Sequence, residues 1–444
     1  MKKRIVILGA GESGTGAAIL AKQKGFTTFV SDYSAVKEQY KQELIEHGIT
    51  WEENTHTEEE ILNADEVIKS PGIPDTAPII RKLKEKGIPL LSEIEFAARY
   101  SKAVMIAITG SNGKTTTTSL LYHLFTTAGK NVGLAGNIGY SLARQVAVSD
   151  KEYFIIELSS FQLDNMYDFK ADIAMLLNIT PDHLDRYDNC MDKYIDSKFR
   201  ITQNQTLEDA FIYGCDDDTI VNNNKIKNRG EATEYCFGLS KNKNYAYKDS
   251  TQLIINSTPR ICINTNLLQI KGEHNIYNTL AALSAASIVG IKESTLKKGV
   301  ETFTGVEHRL EYVTTKKGIT YINDSKATNV DSCKYALQSI ETKTVLILGG
   351  KDKGNDYTKI ESIINTNCSG LVFMGVDNSL LIDFFKDSKL PIANTSSMQE
   401  AVQAASQIAN PGETVLLSPC CASFDLFTSY EHRGELFKKA VKAL

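Results

Sequence analysis

Val104-Met105-Ile106-Ala107-Ile108-Thr109-Gly110-Ser111-Asn112-Gly113-Lys114-Thr115-Thr116 runs an apolar strand straight into a glycine turn. Beyond the turn, Leu120, Leu121, Leu124 and Phe125 recur at helical spacing, and Gly129 supplies a stop, which predicts a helix over 117–128. Strand, glycine loop and helix start together make a phosphate-gripping loop. Glycines let backbone N–H groups converge on an anion, and the helix N-terminus adds its positive end. Gly110, Ser111, Asn112, Gly113 and Thr116 would contribute that backbone. Lys114 supplies a mobile charge for the outer phosphates, and the Thr115 hydroxyl can ligate Mg²⁺. The full motif has a glycine where Ile108 stands, so an ordinary strand–turn–helix connection is the alternative.

Towards the N-terminus, the strand 4–8 leads into Gly9-Ala10-Gly11-Glu12-Ser13-Gly14, and a second strand, 26–31, ends at Asp32. G-x-G-x-x-G after a strand, with an acid closing the next strand, is the dinucleotide fingerprint. Any ligand with a diphosphate and a ribose meets such a loop, so NAD(P), another nucleotide or nucleotide sugar, and no ligand all remain open. Glu66-Val67-Ile68-Lys69 then runs into Ser70-Pro71-Gly72-Ile73-Pro74, either a ligand loop or a rigid turn.

Towards the C-terminus, Gly136-Asn137-Ile138-Gly139 follows a short strand, and an apolar strand reaches Glu157 at 153–160. A phosphate-loop protein needs an acid on a neighbouring strand to hold Mg²⁺, and Glu157 suits that place. Strand 172–177 leads to His183, a residue more often structural than ligating when it stands alone. Lys198 reads as an ordinary exposed helix lysine. Residues 204–268 are rich in asparagine, and short alternating strands at 252–256 and 260–264 predict a small antiparallel or mixed sheet added to the central fold. Asn275 and Asn278 stand one helical turn apart, so both amides can face one partner. Strands at 345–348, 370–374 and 414–418 imply a further α/β unit, with polar clusters in its loops.

A chain of 444 residues exceeds a single core, so two or three domains are expected. The net charge of −5 leaves no footprint for nucleic acid or an anionic membrane, and no stretch is long enough to span one. Eight scattered cysteines form neither a disulfide framework nor a zinc site, which suits a reducing compartment and a cytoplasmic location.

With these pieces in order, the chain resembles the Mur ligases of bacterial cell-wall synthesis over essentially its whole length. The shortened loop Thr109–Thr115 is that family's form, and Glu157-Leu158-Ser159-Ser160, the His183 region and Gly272-x-His274-Asn275-x-x-Asn278 also match. Ile322-Asn323-Asp324-Ser325-Lys326-Ala327-Thr328-Asn329 and Ser418-Pro419-x-Cys421-Ala422-Ser423 match the member that adds D-glutamate to UDP-N-acetylmuramoyl-L-alanine.

The resemblance implies an α/β protein of three domains. These are a Rossmann-like UDP-sugar domain at 1–93, a central P-loop ATPase-like ATP domain with an added small sheet at 94–304, and a Rossmann-like D-glutamate domain at 305–444. It implies that Ser13, Asp32, Ser70, Gly72, Asn137 and His183 contact the UDP-substrate, with Tyr33 a departure from the family's pattern. Asn275, Asn278, Arg309 and Asp324 would contact ATP, and Lys326 would lie near the reacting phosphate. Two Mg²⁺ sites would use Thr115, Glu157, His183 and a carbamylated Lys198. Thr328, Lys353, Ser423, Phe424 and Tyr430 would form the D-glutamate pocket. The implied reaction is ATP-dependent amide formation through an acyl phosphate, by a monomer working on small molecules.

Three rivals differ in class or substrate. A folylpolyglutamate synthase-like ligase would have no use for the segment 9–14. A nucleotide switch would not need the polar loops of the last third. A dehydrogenase would require NAD at the first fingerprint.

Overall fold

A computed structural model describes residues 2–223, 231–241, 244–352 and 354–444. The chain divides into two compact units, Met1–Gln269 with Asn275–Phe303, and Ile270–His274 with Thr304–Leu444.

In the first unit, β1 (Arg4–Leu8), β2 (Thr27–Ser31), β3 (Thr50–Glu52), β4 (Glu66–Lys69) and β5 (Leu90–Leu91) form a parallel sheet in the order β3-β2-β1-β4-β5. The order reverses between β1 and β4, where open α/β sheets take their ligands. Two glycines are required there. A Cβ on Gly14 would overlap the Gly9 carbonyl, and one on Gly9 would lie 2.9 Å from Ser70 Cβ.

The central sheet holds β6 (Val104–Thr109), β7 (Val132–Gly136), β8 (Tyr153–Glu157), β9 (Ile173–Leu176), β10 (Ala210–Gly214), β11 (Thr233–Gly238), β12 (Ala246–Asp249), β13 (Gln252–Ile255) and β14 (Ile261–Asn264). Among the described residues its order is β14-β13-β12-β11-β10-β9-β6-β8-β7. The expected antiparallel strands are present as β13 and β14, and they prolong this sheet, because β12 pairs with β11 in parallel and with β13 antiparallel. Residues 224–230 and 242–243 of the asparagine-rich stretch lie outside the described residues. Ile5 and Ile7 of β1 share one buried cluster with Met105 and Ala107 of β6 and with Phe154 and Ile156 of β8. Each large apolar side chain so buried contributes roughly 1.5–3 kcal/mol.

One pair of cysteines meets in the central sheet. Cys215, just past β10, lies beside Cys236 of β11, with Cα atoms 5.6 Å apart. Pairing of Gly214 with Phe237 brings the two cysteines side by side, a neighbourhood that their separation of 21 residues does not reveal.

The second unit contains β15 (Glu311–Lys316), β16 (Ile319–Asn323), β17 (Thr344–Leu348), β18 (Cys368–Met374), β19 (Ile392–Thr395) and β20 (Thr414–Leu417), ordered β15-β16-β20-β17-β18-β19. Only β15 is antiparallel among these described strands. β16 and β17 flank β20, so the loops after all three open on one edge. β17 and β20 are buried along their whole length, as continuous apolar runs within parallel sheets are.

Candidate active site

The phosphate loop joins β6 to the helix Lys114–Thr127, which begins three residues earlier than its apolar spacing suggests. Gly113 caps it in the left-handed conformation, φ 83°, so the helix starts directly at the loop's closing glycine. The first N–H groups thereby face the loop's concavity, where an anion would sit. A Cβ on Gly113 would overlap the amide oxygen of Asn278.

The loop is held by side chains outside the motif. Asn112 N donates to Asn178 Oδ1 at 2.8 Å, and Asn178 Nδ2 returns a bond to Asn112 O at 3.0 Å. Ser111 Oγ donates to Thr180 O at 2.8 Å and lies 3.0 Å from the Tyr194 hydroxyl. Lys114 Nζ donates to Gly110 O and Ser111 O at 2.7 and 2.9 Å.

Glu157 ends β8 beside this loop, fixed where Leu158 N donates to Ile108 O and Thr109 Oγ1 donates to Leu158 O. Its carboxylate is 1% exposed. Asn137 Nδ2 donates to Oε1 at 2.8 Å, whereas Oε2 is buried without a hydrogen-bond partner. A buried carboxylate oxygen lacking a donor costs free energy, and a divalent cation satisfies it. The residues present therefore fit Mg²⁺ at Glu157.

Lys198 is not the exposed lysine its composition suggested. It is buried, and its Nζ donates to Gly110 O at 2.8 Å. Burial, then the nearby Lys114 charge, holds its ammonium well below the usual lysine range. A signal was present in the helix Met191–Phe199: Tyr194 and Ile195 lie on the apolar face four and three residues before Lys198. His183 adopts φ 52° and sets its ring edge-on to Phe161 at 5.3 Å.

Asn275 and Asn278 are both buried and face each other, with Asn278 beside Gly113 of the phosphate loop. Asn278 Nδ2 donates to Asn275 Oδ1 at 3.1 Å, and Thr117 Oγ1 donates to Asn278 Oδ1 at 3.3 Å.

Around the N-terminal sheet, Ser13 lies in the first turn of the helix Glu12–Gln23, and Asp32, Ser70 and Gly72 follow β2 and β4. Asp32 already accepts from Ala10 N at 2.7 Å and from Ser34 N at 2.8 Å, which binds the glycine loop to the end of β2. Tyr33 is 74% exposed.

In the second unit, Asp324 is buried at the end of β16 and accepts from Leu310 N and from Ser418 Oγ. Burial pushes its carboxyl up to about 7 against the lowering effect of Arg309. Arg309 Nε is itself buried without a partner. Lys326 Nζ lies 5.2 Å from the centre of the Tyr430 ring. Thr328 and Phe424 are exposed on their loops, and Ser423 is buried. Lys353 lies outside the described residues.

No motif pointed to Arg433, which is fully buried between the two signature loops. Its Nε and Nη2 donate to Ser325 Oγ and Ser325 O at 3.0 and 2.8 Å, and Nη1 to Cys421 O at 3.1 Å. The available signal was its place on the buried stripe Arg433, Gly434, Phe437, Ala440 and Val441. Glu307, His308 and Glu435 come close enough to suggest a further metal site, but the Lys438 ammonium pairs with Glu307 and, at 2.7 Å, with Glu435. That cation position is taken by the protein itself.

Three family models match consecutive parts of the chain: a MurD N-terminal domain at residues 4–78, a Mur ligase middle domain at 108–286, and a Mur ligase glutamate ligase domain at 308–421. A UDP-N-acetylmuramoylalanine–D-glutamate ligase of Bacteroides fragilis is 60% identical over 444 residues, covering 100% of both chains.

The chain belongs to the Mur ligases.

A relative of the same name in Porphyromonas gingivalis is 52% identical, covering 99% of each chain. The crystal structure of a UDP-N-acetylmuramate–alanine ligase from Thermotoga maritima matches with a TM-score of 0.64 at 18% identity, covering 100% of both chains, a likeness of fold. This Mur ligase has no helix, among its described residues, long and apolar enough to cross a membrane.

Proposed function

We propose that this Mur ligase joins D-glutamate to UDP-N-acetylmuramoyl-L-alanine, with ATP cleaved to ADP and phosphate. The observation that carries the substrate choice is the full-length 60% identity with a ligase of that name. Residues 1–93 take the UDP-sugar through Ser13, Asp32, Ser70 and Gly72, with Asn137 and His183 further along the substrate. Residues 94–304 take ATP, and residues 305–444 take D-glutamate.

The backbone N–H groups of 110–116 and the Lys114 ammonium hold the β- and γ-phosphates, and Asn275 and Asn278 hold the adenine. Arg309 and Asp324 are assigned to the nucleotide, and Lys326 to the reacting phosphate. Thr115, Glu157, His183 and Lys198 would hold two Mg²⁺, which supply the positive charge that lets a carboxylate approach a phosphate. Lys198 suits that role as a carbamate. Lys198 shares one carbonyl with the half-buried Lys114, whose charge together with burial disfavours a second ammonium, and the neutral amine is the form that takes up carbon dioxide, releasing a proton, to give that anion.

The substrate carboxylate attacks the γ-phosphorus, ADP leaves, and an acyl phosphate results. The amine of D-glutamate attacks the acyl carbon, loses a proton, and phosphate departs. Thr328, Lys353, Ser423, Phe424 and Tyr430 form the D-glutamate pocket, in which a cation and several donors match a dianionic amino acid. We place the enzyme in the cytoplasm as a monomer. Light scattering on the purified protein checks the second point.

Phosphate release with ATP, Mg²⁺ and UDP-N-acetylmuramoyl-L-alanine tests the reaction, with D-glutamate, L-glutamate, L-alanine, L-lysine and meso-diaminopimelate offered singly. Release with D-glutamate alone is expected. Release with another amine would overturn the substrate choice, and none at all would overturn the ligase reading.

A further inference from the structure

A lysine at the end of a buried strand must place its charge somewhere, and Lys69 places it inside the loop that follows. The Lys69 side chain is 2% exposed, at the C-terminal end of β4. Its Nζ donates to Ile73 O at 2.8 Å and to Asp75 Oδ1 at 3.1 Å. One ammonium thus ties the strand end to both sides of Pro74, across the loop Ser70-Pro71-Gly72-Ile73-Pro74. Asp75 is held from outside as well, by Lys84 at 2.6 Å.

The loop has few other restraints on its shape. Ser70 N donates to Leu8 O, Ile73 N to Ser70 O and Ala77 N to Pro74 O. Pro71 and Pro74 have no N–H to donate. A cavity of about 590 Å³ is lined by Lys69, Pro74, Asp75 and Thr76 together with Asp164 and Arg186. Ser70 packs on Gly9, but Gly72 and Pro74 are exposed, so packing alone does not fix the far end of the loop. The buried charge does.

We infer that Lys69 is a positioning residue for the nucleotide-sugar substrate, setting the loop that carries Ser70 and Gly72 through its bonds to Ile73 O and Asp75. The inference rests on the proposed assignment of those two residues to the UDP-substrate. Lys69 touches no reacting atom, so its loss acts on capture of that one substrate.

Steady-state kinetics of the full chain separate this from a general structural role. Lys69→Met is expected to raise KM for UDP-N-acetylmuramoyl-L-alanine about 10-fold, with kcat and the KM values for ATP and D-glutamate within 2-fold of wild type. That fold-change corresponds to about 1.4 kcal/mol, the scale of one hydrogen bond to a charged group. Lys84→Met removes the exposed partner of Asp75 and should leave every constant unchanged. Should Lys69→Met fail to fold, Asp75→Ala carries the test from an exposed position, with a rise of 2- to 3-fold expected in the same KM alone. An unchanged KM for the UDP-substrate, or equal changes in all three KM values, would overturn the inference. Absence of phosphate release by the wild-type enzyme would instead overturn the ligase reading on which it rests.

Discussion

Lys114 and Lys198 donate to the same carbonyl oxygen, that of Gly110, at 2.7 and 2.8 Å. Two lysine nitrogens converge there on one acceptor, and burial with the Lys114 charge beside it disfavours the Lys198 ammonium. Replacing Lys198 with methionine keeps the volume and removes a buried polar group, so thermal stability should hold or rise. Turnover should fall about 10²-fold or more, because a metal-bearing anion is lost. Carbon-13 NMR of the wild type in labelled bicarbonate should show a carbamate signal that Lys198→Met lacks. A variant with near-normal turnover would refute the carbamate assignment.

Glu157 offers one satisfied and one unsatisfied oxygen. Glu157→Gln keeps an acceptor for Asn137 and loses the anion, so the fold should survive. Turnover should drop about 10²-fold, and the Mg²⁺ concentration needed for half-maximal rate should rise. Magnesium titrations of the two enzymes side by side decide it.

Arg433 holds Ser325 and Cys421 together from beneath the two signature loops. Arg433→Met leaves buried carbonyls without donors, at roughly 1–3 kcal/mol of stability. KM for D-glutamate should rise more than 5-fold while KM for ATP stays near wild type. Equal losses for both substrates would mean that Arg433 supports the unit as a whole and not the pocket.

Glu93 is fully buried, accepts bonds from Ser141 Oγ and Ala143 N, and leaves Oε2 without a partner. Burial raises its carboxyl from 4.5 to about 7. A raised folded value means that its stabilising contribution is complete below 4.5 and is lost as pH climbs through about 7. Glu93→Gln keeps the acceptor and removes the titration. At pH 8 the variant should be the more stable by on the order of 2–3 kcal/mol, with the gap closing by pH 5. Denaturant melts at the two pH values test the sign.

What could be read from the sequence depended on how local each signal was. The phosphate loop and its flanking strand are consecutive residues, so periodicity and glycines sufficed. The helix start escaped because Gly113's conformation is tied to Asn278, over 160 residues away. Lys198 and Arg433 were hidden for the opposite reason: their types suggest solvent, and only the apolar company on their helix faces argues otherwise. Arg433's acceptors at Ser325 lie 108 residues back in the chain. The hydrogen bonds that fix the loop from Asn178 and Thr180 likewise arise only when β6 and β9 pair. The central sheet's long edge was legible as strands but not as a continuation, since pairing partners of parallel strands are set by tertiary contact.

The resting position of Lys114 has a consequence for selectivity. Its ammonium is already bonded to two loop carbonyls, Gly110 O and Ser111 O. A ligand must outbid both before the side chain swings towards it. Adenosine or a monophosphate, with nothing to offer at the outer positions, would leave the lysine where it lies. A triphosphate brings charge enough to pull it away. On the proposed assignment of this loop to ATP, occupation of the outer phosphate positions would therefore carry the cost of moving one side chain.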